Sequence, residues 1–353
     1  MGMKWTTRLA AAAGVVALLA ASSVTPALAE GTGEPFSAGL CQPMAPPETG
    51  SYDEQTGEPL TEAWQVTRLA PEKAWGLATG KGVKVAVIDT GVDNTDMEYF
   101  SAPRVKTFNY AQTDERLPGT NLLDCVHGTT VVSLLAASRS ESSQANFSGI
   151  APDVEVYAYR SLQLSKPKSL DELEPLAPTI AAIRQAIAQR VDIINISQSA
   201  PSGDSQYEQA IADAIAAGIV VVAAAGNGGQ SGKSFPAAYP GVIGVAMTNK
   251  ADGADPQSQW GAEFEISVAA PGVEVLALVP SSKTYGLSYT TSITGTSYAA
   301  PLVTGVAALI LQRYPGLTPA QVKQRLELSA DPPAGSVPDP RLGYGIVNPY
   351  RAL

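Results

Sequence analysis

The strongest constraint on this chain is a set of short apolar runs that alternate with helix-patterned segments. Val83 to Ile88, Val154 to Tyr159, Asp192 to Ile196, Ile219 to Ala223, Val242 to Ala246 and Val273 to Val279 read as strands. They are rich in Val, Ile and Ala and show little polar face, so a sheet built from them must be covered on both sides. His127 to Ala137, Pro178 to Arg190 and the segment from Asp204 to Ala217 carry helical spacing. Asp204 is placed to cap its helix and Gly218 to stop it. Ser297 opens a long apolar helix that ends near Tyr314-Pro315-Gly316, and Thr318-Pro319 supplies the cap and first turn of the last helix. This alternation predicts an α/β fold, a central mainly parallel sheet flanked by helices in three layers.

Charge and rare residues narrow the chemistry. The chain has 33 acidic and 23 basic residues among 353, a net charge of −10. A phosphate backbone calls for a basic face, so a nucleic-acid partner is not expected. Two cysteines, Cys41 and Cys125, cannot form a zinc cage and are too far apart for a redox CxxC. No calcium-binding loop is evident, and no metal ligand and no cofactor are expected. There is one histidine, His127, so any mechanism that needs an imidazole has a single candidate.

The first 29 residues read as a secretory signal. Lys4 and Arg8 form a positive start, Leu9 to Ala21 is an apolar run, and Ala27-Leu28-Ala29 is a small-x-small cleavage site. An exported or cell-envelope protein starting at Glu30 is expected; an uncleaved anchor is the other reading. In an oxidising compartment the two thiols would most simply pair as Cys41–Cys125, the alternative being two free buried thiols. Glu30 to Leu60 is rich in Gly, Pro, Glu, Ser and Thr, and residues 30–68 are taken as an arm, with one domain over 69–353. Ser161 to Thr179, with three prolines, reads as a surface loop. No apolar stretch after residue 30 has membrane-spanning length.

Four positions can carry chemistry. Asp89 ends a buried strand in Val87-Ile88-Asp89-Thr90-Gly91, where open parallel sheets bind ligands. It could hold an imidazole or merely cap the next turn. His127 begins a helix. Ser297, in Gly295-Thr296-Ser297-Tyr298-Ala299-Ala300-Pro301, sits at a loop-to-helix junction that presents free N–H groups to a developing anion; its plain alternative is an N-cap. Asn227 follows a buried strand in Ala225-Gly226-Asn227-Gly228, as an amide donor or an ordinary Asn-Gly turn. The order acid, histidine, serine differs from the serine, acid, histidine order of α/β-hydrolases and matches that of subtilisin.

On these residues the chain resembles the subtilase family of serine peptidases. The stretches that carry the resemblance are VAVIDTGVD (85–93), HGTTVVSLLAA (127–137), SGIAPDVEVYAYRSL (148–162), DIINIS (192–197), VVAAAGNGG (221–229), FPAAYPGVIGVAM (235–247), VAAPGVEVLA (268–277) and GTSYAAPLVTGVAALI (295–310). Within the family it is similar to the mycosins of type VII secretion. The Pro/Glu-rich arm holding Cys41, the Asp124-Cys125-Val126-His127 stretch and Ala300-Pro301-Leu302-Val303-Thr304-Gly305 carry that likeness.

The resemblance implies a subtilisin-like fold and hydrolysis of polypeptide substrates by an Asp89–His127–Ser297 triad. It implies an oxyanion hole of Asn227 and the Ser297 N–H, and substrate contacts from Ser197, Gln198, Ala224, Ala225 and Gly226. It also implies an arm tied down by a Cys41–Cys125 disulfide, with type VII secretion membrane components as partners. Two features depart from the mycosin pattern. The chain shows no Pro-rich linker and membrane helix after Tyr344-Gly345-Ile346-Val347-Asn348-Pro349, and Ser197-Gln198-Ser199 stands where many subtilases have Ser-Leu-Gly.

Overall fold

The computed structural model describes residues 1–2, 41, 63–94, 98–100, 103–111, 125–139, 146–161, 176–200, 203–261, 265–280 and 287–353. The chain forms two compact units, Met1–Glu30 and Gly31–Leu353, and the fold below is that of the second. The expected signal segment, most of the arm and most of the loop read at 161–179 lie outside the described residues.

The chain order is α1 (Trp64–Leu69), β1 (Lys84–Asp89), β2 (Val105–Asn109), α2 (Val126–Ala136), β3 (Glu155–Arg160), α3 (Ala177–Ala188), β4 (Ile193–Ile196), α4 (Ser205–Ala216), β5 (Val220–Ala224), β6 (Ile243–Thr248), β7 (Val268–Pro271), β8 (Val275–Pro280), β9 (Leu287–Ile293), α5 (Thr296–Arg313) and α6 (Pro319–Ser329). Among the described residues seven strands form one sheet in the order β2-β3-β1-β4-β5-β6-β7, and every adjacent pair is parallel. β8 and β9 form a separate antiparallel pair.

The alternation along β1 shows how the layers form. Val85 and Val87 belong to a core with residues of α2 and α5, whereas Ala86 and Ile88 belong to a second core with residues of α3 and α4. Successive side chains of a strand point to opposite faces, so one strand feeds both cores. The result is the three-layer α/β arrangement expected from the sequence.

α5 is the central helix of the first core. It packs on β4, β5, β6 and β7, and Thr296 and every residue from Ala299 to Ile310 are buried. Gly305 lets it approach the chain closely, since a Cβ there would meet the Ile150 Cβ at 2.5 Å. The caps read from sequence are present: Asp204 accepts from the Gln206 and Tyr207 N–H groups at 2.9 Å each, and Thr318 and Gln321 form a capping box.

Three strands go beyond the sequence expectation: β2, β7 and β9. The run read as Val273 to Val279 is β8, shifted to Val275–Pro280. α1, which begins in the expected arm and ends at the first residue of the expected domain, docks on β8, where the buried Gln65 side chain donates to the Leu276 carbonyl at 2.6 Å. Cys41 and Cys125 are joined by a disulfide across 84 residues of sequence. Among the described residues no helix is long and apolar enough to cross a membrane.

Candidate active site

β1 has β3 on one side and β4 on the other, so the chain's progress across the sheet reverses there. Such a switch point opens a crevice at the carboxyl ends of the strands. Asp89 is the last residue of β1 and is 1% exposed. Its Oδ1 accepts the Thr90 N–H at 2.7 Å and lies 2.8 Å from His127 Nδ1. Its Oδ2 is buried and has no hydrogen-bond partner among the described residues.

His127 is the second residue of α2, and its side chain is 19% exposed. The helix start is seated close to β1 by the next residue. The Gly128 N–H donates to Thr90 Oγ1 at 3.0 Å, and a Cβ on Gly128 would collide with the Gly91 carbonyl. Glycine at 128 thus sets the approach that brings imidazole and carboxylate together. Immediately before α2, Cys125 carries the disulfide to Cys41.

Ser297 is the second residue of α5 and half-buried. Its hydroxyl donates to the Ser197 carbonyl at 2.9 Å, and the Ser197 hydroxyl donates to the Ser297 carbonyl at 2.8 Å. The following residue, Tyr298, sets its ring 5.5 Å from the His127 ring, centroid to centroid. The structure therefore bonds Asp89 to His127 and brings the start of α5 against the imidazole, with the Ser297 hydroxyl turned toward Ser197. Burial, with a contribution from the Asp89 charge, pushes the Tyr298 phenol up to about 12.

Asn227 is exposed just beyond β5. Its Oδ1 accepts the Thr296 N–H at 2.9 Å and the Thr296 hydroxyl at 3.0 Å. That fixes the carboxamide, with Nδ2 3.4 Å from where a Cβ of Gly295 would lie. The other expected contact residues follow β4 and end β5. Ser197, Ala224, Ala225 and Gly226 are buried and Gln198 is half-buried. Gly226 has φ +102, and its N–H donates to Thr296 Oγ1 at 3.0 Å.

Thr296, Tyr298 and Gly128 escaped the sequence reading as functional positions. Each adjoins a residue that was singled out, and that adjacency was the available signal. Among the described residues, no group of three or more His, Cys, Asp or Glu side chains is arranged to hold a metal ion.

Residues 80–345 match the Subtilase family, Peptidase_S8. The chain is 37% identical over 257 residues to subtilisin DY of Bacillus licheniformis, covering 71% of this chain and 84% of that protein. It is 34% identical over 337 residues to Mycosin-4 of Mycobacterium tuberculosis, covering 85% of this chain and 71% of the other. Among solved structures it is similar to MycP1, a serine protease described as an essential component of the type VII (ESX-1) secretion system. The TM-score is 0.69 at 28% identity, over 90% of this chain and 93% of that one. The parallel sheet order and these similarities agree: the chain belongs to the subtilase family and is a subtilisin-like serine endopeptidase.

Proposed function

We propose that this chain cleaves peptide bonds through Asp89, His127 and Ser297, and serves a type VII secretion system as an exported, cell-envelope mycosin. The observation that carries the catalytic part is the 2.8 Å contact between a buried carboxylate and the chain's only imidazole, at the mouth of the sheet. Asp89 fixes the tautomer in which Nδ1 carries the proton, leaving Nε2 as the base. Ser297 turns about one side-chain bond from the Ser197 carbonyl to the imidazole, and its oxygen attacks the substrate carbonyl. His127 takes the proton and then gives it to the leaving amine. The imidazolium formed between these steps is stabilised by a carboxylate whose second oxygen has no donor among the described residues.

Asn227 Nδ2 and the Ser297 N–H receive the oxyanion. The support for this role is the pair of bonds from Thr296 that orients the amide before substrate arrives. Substrate lies extended between the segment after β4 and the end of β5, meeting Ser197, Gln198, Ala224, Ala225 and Gly226.

The catalytic reading is tested with a fluorophosphonate probe on wild type and Ser297→Ala. Labelling that depends on Ser297 supports it, and equal labelling of both proteins overturns it.

The secretion role is supported by the likeness to Mycosin-4 and MycP1 and by the disulfide ahead of α2. Genes for type VII secretion components beside this one are the expected finding. The higher identity to subtilisin DY favours the alternative, a free secreted peptidase, and an isolated gene would support it.

A further inference from the structure

Asn227 and Gly228 are both exposed, and they form the chain's one Asn-Gly pair. The pair is fixed on either side and open in the middle. The Gly226 carbonyl accepts the Gln259 N–H at 2.8 Å, and the Gly229 N–H donates to the Gln257 carbonyl at 2.9 Å. Between them, neither the Gly228 N–H nor the Asn227 side-chain nitrogen has an acceptor among the described residues.

The carboxamide itself is held by its oxygen. Thr296 supplies both donors, its N–H at 2.9 Å and its hydroxyl at 3.0 Å. A backbone N–H can only donate, so the acceptor is the oxygen and the amide nitrogen is the free end. The hydroxyl is fixed in turn by accepting the Gly226 N–H at 3.0 Å. Two donors aimed at a carbonyl oxygen stabilise the negative charge that gathers there when a nucleophile adds to the carbonyl carbon. Here that carbon is Asn227 Cγ. The nucleophile next to it in sequence is the Gly228 nitrogen, which no Cβ shields.

We infer that Asn227 is a self-modification site, at which the Gly228 nitrogen attacks Asn227 Cγ and the fold promotes the step through Thr296. The Gly228 N–H proton passes to solvent base as the N–Cγ bond forms. The Cγ–Nδ2 bond then breaks, and Nδ2 leaves as ammonia with a proton from water. Water opens the resulting succinimide at either carbonyl and gives aspartate or isoaspartate at 227. The consequence rests on the proposed function: both products place a carboxylate where the oxyanion has to form, and isoaspartate also lengthens the main chain by a methylene. The bonds that orient the amide for catalysis thus ready it for attack, and a peptidase of this design loses activity with age without unfolding.

The test follows residue 227 by peptide mapping of the full chain carrying Ser297→Ala, which removes self-digestion, in warm, mildly alkaline buffer. The readouts are the mass gain that marks replacement of NH2 by OH and labelling by an isoaspartate methyltransferase. Conversion at 227 is expected to outpace that at every other asparagine, and to run several-fold faster in the folded chain than in the same chain in guanidinium chloride. Equal or slower conversion in the folded chain overturns the inference. Gly228→Ala places a methyl beside the attacking nitrogen, 3.0 Å from the movable Gln259 Oε1, and should slow conversion several-fold; an unchanged rate overturns the inference. In wild type the fraction of activity lost should match the fraction converted among intact chains, and Asn227→Asp should be about 100- to 1000-fold slower than wild type. Conversion at 227 with activity intact leaves the modification standing and overturns the oxyanion role of Asn227.

Discussion

Ser197 and Ser297 hold each other: each hydroxyl donates to the other's backbone carbonyl, at 2.8 and 2.9 Å. The exchange joins the end of β4 to the start of α5, 100 residues apart in sequence. A polar chain stands behind it, in which Thr304 Oγ1 donates to Asn195 Oδ1 at 2.8 Å and Asn195 Nδ2 donates to Ser197 Oγ at 3.0 Å. The residue proposed as nucleophile is thus positioned from inside the core.

Ser197→Ala is expected to lower stability by about 1–3 kcal/mol, because the buried Asn195 amide loses its acceptor. Urea unfolding of the two proteins measures this. The acylation rate should fall as well, since the Ser297 carbonyl is no longer held.

Removing the amide at 227 should act on rate rather than on binding. A donor of this kind is worth about 100- to 1000-fold in subtilisin, and Asn227→Ala is expected to lose kcat in that range with little change in KM. Steady-state kinetics on one peptide substrate separates the two constants.

Gly128→Ala tests the approach of α2 to β1. The added methyl collides with the Gly91 carbonyl, and the helix start must shift, taking His127 from Asp89. A displacement near 1 Å costs about 100-fold in rate. The expected outcome is that loss, with a far-ultraviolet circular dichroism spectrum like that of wild type.

These outcomes depend on contacts that differ in how far the sequence discloses them. β1, β3, β4, β5 and β6 are legible because strands covered on both faces must be apolar. β2 hides for the opposite reason. It is an edge strand, and Lys106 is half-exposed, 3.3 Å from Glu155. β7 is only four residues long and ends in a proline, and β9 pairs outside the main sheet with a Ser/Thr-rich sequence. At the site, Asp89, His127, Asn227 and Ser297 each sit in a local motif. Gln259, whose N–H donates to the Gly226 carbonyl at 2.8 Å, sits in none, because that contact exists only after a loop folds back across more than thirty residues.

Alkaline pH should weaken the fold over a defined window. Burial pushes the phenols of Tyr159 and Tyr207 well above their ordinary value of 10.0, and that of Tyr298 up to about 12. Above pH 10 the unfolded chain releases protons that the folded chain keeps, so the folded state binds more protons and stability falls as pH rises. For Tyr298 the fall runs from about pH 10 to about 12. Urea midpoints across that range should decline less steeply in Tyr298→Phe than in wild type.

Reduction of the disulfide frees a loop of 84 residues, worth up to about 4.5 kcal/mol in the chain-entropy view. A clear drop in Tm with dithiothreitol, absent in Cys41→Ser/Cys125→Ser, is the expected result.

The burial of α5 has a consequence for how this enzyme dies. Ser297, the proposed nucleophile, stands at the head of an 18-residue helix wrapped by sheet and helices, and such elements open only when the whole domain opens. Heat should therefore extinguish catalysis and cooperative structure in a single step. Near the midpoint of such a transition the population divides into intact and fully opened molecules, and the opened ones are drained irreversibly by any that still cleave.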